Sequence, residues 1–168
     1  KLAAEGVDAV FLPSPATVYP AGYNTYVVPS TLSKRLCGES RPGHFRGVCT
    51  VVSLLFRMTQ CHVALFGKKD YQQLRILEQM SQDLWLGVEV VGMPIVREND
   101  GLAMSSRNVR LLPHDKSRAV VIYKILKAIK RKKYHLTPEK CIKYAMKQCN
   151  LDGFKPEYFY IADGYTLK

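Results

Sequence analysis

The stretch HVALFGKKDYQQLRILEQMSQDLWLGVEVVG, residues 62–92, carries the pattern that decides the fold. Residues 62–66 form a short apolar run that is typical of a buried strand. The loop GKKD follows, and its Asp70 is the natural N-cap for Tyr71–Leu84, where apolar residues recur at helical spacing. Val88–Gly92 is a second apolar run. A strand, a helix and a strand at this spacing predict two parallel strands joined by a crossover helix.

Other segments before residue 113 extend this α/β pattern. Two apolar runs end at prolines, Asp8–Pro13 and Thr25–Pro29, and each is predicted to be a strand. Phe45–Met58 is apolar around most of its circumference and predicts a buried helix. Pro94–Asn108 is polar and interrupted by glycine, which indicates a long loop after the second strand of the parallel unit.

The pattern changes at Pro113, which occupies a first-turn position and opens a helix. Thr137–Glu139 opens another helix, and Pro156–Ile161 predicts a strand. We therefore expect two domains. Residues 1–112 would form the larger, nucleotide- and substrate-binding domain, and residues 113–168 a small C-terminal α+β domain.

The composition is that of an ordinary globular protein, with 47% hydrophobic and 23% charged residues, which argues against disorder. No apolar run approaches the roughly 20 residues that span a bilayer, so we expect no membrane segment. The five cysteines form an odd set without a C-x-x-C pair. We therefore expect no metal site and no disulfide framework, but reduced thiols in a cytoplasmic protein.

Positive charge is concentrated toward the C-terminal end. Residues 113–168 contain 13 Lys and Arg against 5 Asp and Glu, a net +8 out of the total of +11. One interpretation is a basic nucleic-acid-binding module centred on Lys130–Lys133. The other is a solvated helix end, because cations are favourable near the negative end of the helix dipole. We expect the second, with no nucleic acid as a partner.

Two loops are expected at the carboxyl ends of the strands, where open parallel sheets bind their ligands. In the first, Gly67 permits close approach, the following helix N-terminus offers free N–H groups, and Lys69 adds a charge suited to phosphate. In the second, DGLAMSSRN, Ser105 and Ser106 are hydrogen-bond donors, and Arg107 can balance charge on a leaving pyrophosphate. Each loop alone also fits a solvated or capped turn; together they favour a polyphosphate site.

A third polar group precedes the predicted buried helix. Arg41 is suited to pairing with a substrate carboxylate, and His44 to hydrogen bonding beside it. The alternative is a loop arginine and a capping histidine. Gln72 and Gln73 open the helix after the lysine loop, and one of them is expected to face the ligand edge with a neutral amide.

Three segments together resemble the pantothenate synthetase (pantoate–beta-alanine ligase) family: SRPGHFRGV at 40–48, FGKKDYQQL at 66–74 and DGLAMSSRN at 100–108. They occur in the family's order and spacing, and the resemblance weakens after Leu112. It implies a Rossmann-like nucleotidyltransferase parallel sheet, incomplete at its N-terminus, with a small C-terminal domain. It also implies a homodimer.

The resemblance further implies a reaction and its residues. In this family pantoate and ATP give pantoyl adenylate and pyrophosphate with Mg²⁺, and β-alanine then displaces AMP to give pantothenate. By matching positions, the expected catalytic residues, on the triphosphate, are Lys69, Ser105, Ser106 and Arg107. The expected nucleotide-binding residues are Gly67, Lys69, Asp70, Val96, Met104, Ser105 and Arg107. The expected pantoate-binding residues are Gln73, Arg41 and His44.

The sequence departs from the family pattern in two ways. Lys68 stands where the family usually has glutamate, which reverses a charge beside Lys69. The family's N-terminal H-x-G-H motif, which helps to bind ATP, does not occur, and the sequence stops before the last strands of the C-terminal domain. We therefore expect a piece of the ligase that lacks part of its active site. A catalytically inactive fragment remains an alternative, as does the nucleic-acid-binding module.

Overall fold

The computed structural model describes residues 2–168 and has an α/β architecture. Its helices and strands are, in chain order, α1 (Pro15–Val18), α2 (Cys37–Ser40), α3 (His44–Thr59), β1 (Val63–Gly67), α4 (Tyr71–Asp83), β2 (Glu89–Met93), α5 (Pro113–Lys132) and α6 (Pro138–Leu151). Short 3-10 turns occur at Ala3–Glu5, Thr31–Ser33, Lys68–Asp70 and Ser106–Arg110.

The predicted parallel unit is confirmed. Strands β1 and β2 are parallel neighbours in register from the pair Val63 and Glu89 to the pair Gly67 and Met93, and α4 is the crossover between them. Both strands begin one residue later than the apolar pattern indicated. Because the strands are parallel, Gly67 and Met93 end at the same edge of the sheet. The loops that follow them therefore start side by side.

The main core lies where α3 and α4 pack together against the sheet. The predicted buried helix is confirmed as α3, whose apolar face includes Phe45 and Phe56. Each large apolar side chain removed from water here stabilises the fold by roughly 1.5–3 kcal/mol. The buried members of this core are Phe45, Cys49, Phe56, Ile76, Leu77, Met80 and Val88.

The two helices predicted after residue 112 are also confirmed, and α5 and α6 pack against each other. Thr137 is the N-cap of α6, since its hydroxyl accepts a hydrogen bond from the Lys140 N–H at 3.4 Å, and Pro138 occupies the first turn. This pair has its own small core, made of Ile125, Ile129, Cys141, Ala145 and Cys149.

Three predicted strands are wrong. Asp8–Pro13, Thr25–Pro29 and Pro156–Ile161 contain no strand in the structure. A strand needs a neighbour to pair with its backbone N–H and C=O groups, and none of these segments has such a ladder within residues 2–168. Apolar runs record which side chains favour burial, but they do not record whether a partner strand is present.

Two local predictions need correction. Asp70 occupies the N-cap position of α4, but its side chain makes no capping hydrogen bond; its carboxylate instead lies 3.5 Å from the Lys69 ammonium. The loop 94–108 is less irregular than predicted. Arg97 and Ala103 form an antiparallel bridge that closes a turn, and the turn Ser106–Arg110 begins inside the loop.

The five cysteines are all free, and Cys49, Cys141 and Cys149 are buried. Burial raises the pKa of the Cys49 thiol to about 11. Within residues 2–168, no helix is long and apolar enough to cross a membrane. The same residues contain no group of three or more His, Cys, Asp or Glu side chains arranged to hold a metal ion.

Candidate carboxylate and phosphate site

A cavity of about 320 Å³ lies beyond the carboxyl end of β1, and the protein supplies it with positive charge. Five residues proposed from the sequence as ligand contacts line it: Arg41, His44, Lys69, Asp70 and Gln73. The volume is at the lower end of the range typical of small-molecule sites. The structure thus brings together residues that lie up to 32 positions apart in the sequence.

Lys69 reaches the cavity because β1 ends directly before its turn. Gly67 closes the strand, and the 3-10 turn Lys68–Asp70 carries the chain into α4. The Lys69 ammonium is partly exposed and lies 3.5 Å from the Asp70 carboxylate. An exposed pair of this kind contributes little to stability, so Lys69 stays available to a more strongly charged anion.

Arg41 and His44 reach the cavity from an earlier part of the chain. Arg41 follows α2, and His44 is the first residue of α3. Between them Gly43 adopts a left-handed conformation, with φ of 79°, which a residue with a side chain rarely tolerates. This glycine turns the chain so that the two side chains meet.

The electrostatics around His44 favour its neutral form. Partial burial lowers the pKa of His44, and the charges of Arg41 and then Arg107 lower it further, while Asp70 opposes them. Arg107 therefore lies close enough to His44 for its charge to act there, although it belongs to the loop after β2. This electrostatic effect relates the second loop to the cavity, although Arg107 does not line the cavity itself.

That second loop is held in shape by its own polar groups. The Ser105 hydroxyl accepts a hydrogen bond from the Arg107 N–H at 3.2 Å. The Asn108 side-chain amide donates to the Glu98 carboxylate at 3.2 Å and to the Ala103 carbonyl at 3.1 Å. Glu98 also pairs with Lys116 at 2.6 Å. The Lys116 hydrogen bond, followed by that of Asn108, holds the pKa of Glu98 below its usual value.

Six residues proposed from the sequence as ligand contacts do not line the cavity itself. They are Gly67, Val96, Met104, Ser105, Ser106 and Arg107. Gly67 ends β1 directly beside it, and the other five lie on the loop that follows β2. Val96 is 65% exposed and Met104 is 53% exposed, so both apolar side chains face outward here.

Sequence reasoning missed several residues that line the cavity. Tyr158 and Leu167 come from the C-terminal segment. The rest of the wall consists of Leu36, Cys37, Phe45, Tyr71 and Gln72. Burial is the main cause that raises the pKa of Tyr158. No local pattern marks the two C-terminal residues as neighbours of lining residues that lie 85 to 131 positions earlier. The amphipathic register of α3 does identify Phe45.

A second cavity and a surface groove differ from this cavity in the chemistry of their lining residues. A cavity of about 240 Å³ between Val27–Leu32 and α4 has Asp83 as its one charged lining residue, which does not suit an acid or a triphosphate. An open groove along α5 is lined by Arg97, Lys127, Lys130 and Arg131 together with two tyrosines. Arg97 stacks on the Tyr123 ring at 3.6 Å, so part of this charge is used within the fold.

The fold and the cavity define a class: an α/β protein with a cavity that contains lysine and arginine beyond the carboxyl end of a parallel strand. Comparison with known proteins identifies the family. The whole chain, residues 1–168, matches the family model described as pantoate-beta-alanine ligase. A pantothenate synthetase of Thermotoga petrophila is 46% identical over 170 residues, covering 98% of this chain and 60% of that protein. The chain belongs to the pantoate-beta-alanine ligase family.

Solved structures agree with this assignment. The pantothenate synthetase of Thermus thermophilus superimposes with a TM-score of 0.94 at 40% identity, covering 99% of this chain and 62% of that one. The pantoate-beta-alanine ligase of Francisella tularensis, complexed with beta-gamma ATP and beta-alanine, gives 0.83 at 32% identity, with 96% and 59% covered. The chain spans 44% to 60% of the length of the first curated relatives it matches. Family membership does not favour the nucleic-acid-binding alternative.

Proposed function

We propose that this chain is part of an ATP-dependent ligase that condenses pantoate with β-alanine through a pantoyl-adenylate intermediate. The products would be pantothenate, AMP and pyrophosphate. The observation that carries the proposal is the shared cavity of Arg41, His44, Lys69 and Gln73. A guanidinium, a neutral imidazole, an ammonium and an amide are suited to a hydroxy acid that meets a phosphate.

The acid would bind on the side of Arg41. The Arg41 guanidinium would pair with the pantoate carboxylate, and the Gln73 amide would bind the hydroxyl groups of pantoate. His44, kept neutral by its surroundings, adds a hydrogen-bonding group without a second positive charge. Holding the carboxylate in this way would place one of its oxygens in line with the α-phosphorus of ATP.

Lys69 and the loop after β2 would bind the triphosphate. A pantoate carboxylate oxygen attacks the α-phosphorus, and the bond from that phosphorus to the bridging oxygen breaks, so that pyrophosphate leaves with the bond electrons. Lys69 and Arg107 would balance the charge that develops on it, and Ser105 and Ser106 would donate hydrogen bonds. The β-alanine amine then attacks the acyl carbon, loses a proton and releases AMP. No protein nucleophile is needed.

The remaining nucleotide contacts would come from Gly67, Asp70 and Val96 beside the adenosine, and from Met104. The Francisella ligase structure, with its beta-gamma ATP and beta-alanine, supports both as ligands of this site. We propose Mg²⁺ as a companion of the ATP phosphates rather than a resident metal. Residues 2–168 bring together no three His, Cys, Asp or Glu side chains, and Mg²⁺ is commonly held by substrate phosphates.

The same proposal extends to the domain organisation and the oligomeric state of the protein. Residues 1–112 would belong to a Rossmann-like nucleotidyltransferase domain, and residues 113–168 to a small C-terminal α+β domain. The separate small core of α5 and α6 supports a boundary there. We also propose a cytoplasmic homodimer, on the ground of family membership.

The test is Lys69→Ala, with Lys147→Ala as the matched control because Lys147 is exposed on α6. Adenylate formation would be measured as the pantoate-dependent exchange of labelled pyrophosphate into ATP. We expect Lys69→Ala to slow this exchange by about 10² to 10³, as is usual when one preorganised charge is removed from the transition state. Lys147→Ala should leave it unchanged. Equal, measurable rates for the unsubstituted chain and Lys69→Ala would refute the assigned role, whereas no exchange in the unsubstituted chain would favour the inactive fragment.

A further inference from the structure

Gln72 holds a distant turn of the chain through its side-chain amide. It is the second residue of α4 and is 8% exposed. Its Nε2 donates hydrogen bonds to the carbonyl oxygens of Leu32 at 2.8 Å and Arg35 at 2.7 Å. Its Oε1 accepts one from the Cys37 N–H at 3.1 Å. Both amide hydrogens and one oxygen lone pair are thus used on backbone groups 35 to 40 residues away.

Two of these three hydrogen bonds flank the most unusual backbone position of the turn. Leu36 has φ of 53° and ψ of −126°, a region that a side chain makes unfavourable. The carbonyl of Arg35 lies before it, the N–H of Cys37 lies after it, and Gln72 binds both. One side chain therefore fixes the two peptide groups that define the conformation of Leu36.

This turn determines where the acid-binding side chains go. Directly after Leu36 the chain forms α2, then presents Arg41 and His44 to the cavity. Gln72 and the next residue, Gln73, both line the same cavity, but the amide group of Gln72 is bound to the turn. Gln72 thus connects the helix that carries Gln73 with the segment that carries Arg41. Its hydrogen bonds all go to the turn and none to the loop after β2.

We propose that Gln72 is a positioning residue for the carboxylate-binding half of the site. It keeps Leu36 in its positive-φ conformation, so that Arg41 and His44 face Lys69 and Gln73 at the spacing the acid requires. This inference rests on the proposed function for the identity of the acid, pantoate. Its structural part, the hold on the Leu36 turn, does not depend on any ligand.

The alternative is that Gln72 has a purely structural role, as a buried amide whose hydrogen bonds stabilise the fold. Its loss would then lower the free energy of unfolding and weaken all ligands alike. The positioning role predicts different effects on the affinities for the two ligands. Lys69, Ser105 and Arg107 belong to elements outside the Leu36 turn, so ATP binding should not depend on it. Pantoate affinity should fall while ATP affinity is kept.

The test compares Gln72→Leu with Gln82→Leu, the same substitution at an exposed position on the same helix. Three quantities are measured on the full chain: hydrogen exchange of the Cys37 amide, and the calorimetric Kd values for pantoate and for ATP. For Gln72→Leu we expect faster exchange at Cys37, a pantoate Kd raised about tenfold or more, and an ATP Kd within about twofold. Gln82→Leu should change none of the three.

Two further variants keep the proposal open to refutation. Gln72→Asn retains a neutral amide in case Gln72→Leu does not fold. Its side chain is one methylene too short to bind the peptide groups on both sides of Leu36, so we again expect weaker pantoate binding with ATP affinity kept. Adding Leu36→Gly to Gln72→Leu should restore part of the pantoate affinity, because glycine adopts a positive φ without strain. A merely structural amide would not be rescued in this way.

Unchanged protection of the Cys37 amide in both Gln72 variants would overturn the proposal, and so would an equal loss of pantoate and ATP affinity. If the unsubstituted chain bound no pantoate, the proposed function would fail. The exchange of the Cys37 amide would still decide whether Gln72 holds the turn.

Discussion

Arg41 and His44 are in direct contact, with Nη1 of Arg41 3.2 Å from Nε2 of His44. A guanidinium has donors and no acceptor, so Nε2 must accept this hydrogen bond. The imidazole is then neutral, with its proton on Nδ1. The lowered pKa of His44 has the same consequence, because partial burial and the charges of Arg41 and Arg107 all disfavour the imidazolium.

The first prediction concerns this histidine. In a ¹H NMR titration, His44 should have its midpoint below the usual value of about 6.5. Arg107→Gln should raise that midpoint, because it removes a positive charge that disfavours protonation. Since the folded pKa is the lower one, the unfolded chain takes up its proton first as the pH falls. Stability should therefore decrease as the pH falls from about 6.5 through the folded midpoint.

The control for this titration is Arg110→Gln, which removes a charge three residues further along. Arg110 is not among the groups that shift the pKa of His44, so we expect its removal to leave the midpoint in place. The His44 resonance is identified by its absence in His44→Gln. If Arg107→Gln failed to move the midpoint, Arg107 would not lie near the cavity, and the joint site for acid and triphosphate would lose its support.

The parallel unit could be predicted because its signals are local. The apolar runs, the helical spacing after Tyr71 and the loop between them lie within about 30 residues, and β1, α4 and β2 appear within a residue of their expected bounds. The three strands that failed depend on a partner elsewhere, which no local pattern reports. Thr25–Pro29 shows the difference: its Val27 N–H donates to the Thr50 hydroxyl at 3.0 Å instead of to a strand.

The candidate site was predictable to the extent that sheet topology dictates it. Lys69 and Gln73 follow a strand closely, so their place at the sheet edge follows from the βαβ unit. Gln72 and Gln73 are neighbours with the same side chain, and the local pattern could not separate their roles; only the family resemblance pointed to Gln73. Both side chains line the cavity, but the hydrogen bonds of the Gln72 amide go to the Leu36 turn. Tyr158 could not be predicted at all, since its contact joins segments far apart in the chain.

A second prediction tests how closely β2 packs against α4 and the loop Gly67–Asp70. An alanine Cβ at Gly92 would lie 2.6 Å from Cδ2 of Leu74 and 3.0 Å from Cε of Lys68. Leu74 is buried and cannot swing away freely. We expect Gly92→Ala to lower the free energy of unfolding by about 1–3 kcal/mol in urea denaturation, as is typical of overpacking.

Gly47→Ala is the matched control for this substitution. Gly47 lies inside α3, and a Cβ there meets no atom within 4 Å. Alanine is the better helix former, so stability should rise by up to about 1 kcal/mol. We therefore expect the two glycine-to-alanine substitutions to change the free energy of unfolding in opposite directions. If Gly92→Ala left it unchanged, β2 and α4 would not be packed this closely.

A third prediction concerns Cys49, which is fully buried in the main core. Burial raises the pKa of its thiol to about 11, so very little thiolate exists near neutral pH. Alkylation by iodoacetamide, followed by mass spectrometry, should modify the half-buried Cys61 before Cys49. Modification of Cys49 should accelerate in urea in step with global unfolding. Rapid labelling of Cys49 in native buffer would contradict its burial on the core-facing side of α3.

The last prediction concerns Asp163, which organises the turn that brings Leu167 to the cavity wall. Its Oδ1 accepts hydrogen bonds from the Thr166 N–H at 2.7 Å, the Thr166 hydroxyl at 3.0 Å and the Tyr165 N–H at 3.0 Å. The Thr166 backbone hydrogen bond is the main cause that lowers the pKa of Asp163. Because these bonds favour the carboxylate, they stabilise the turn at pH values above the unfolded pKa of about 3.9. This stabilisation is lost as the pH falls through the lower pKa of the folded state.

The amide shifts of Tyr165 and Thr166 in ¹H–¹⁵N spectra should titrate together with a midpoint below about 3.9. Asp163→Asn should abolish that step, and a midpoint at or above the unfolded value would show that the carboxylate does not cap this turn.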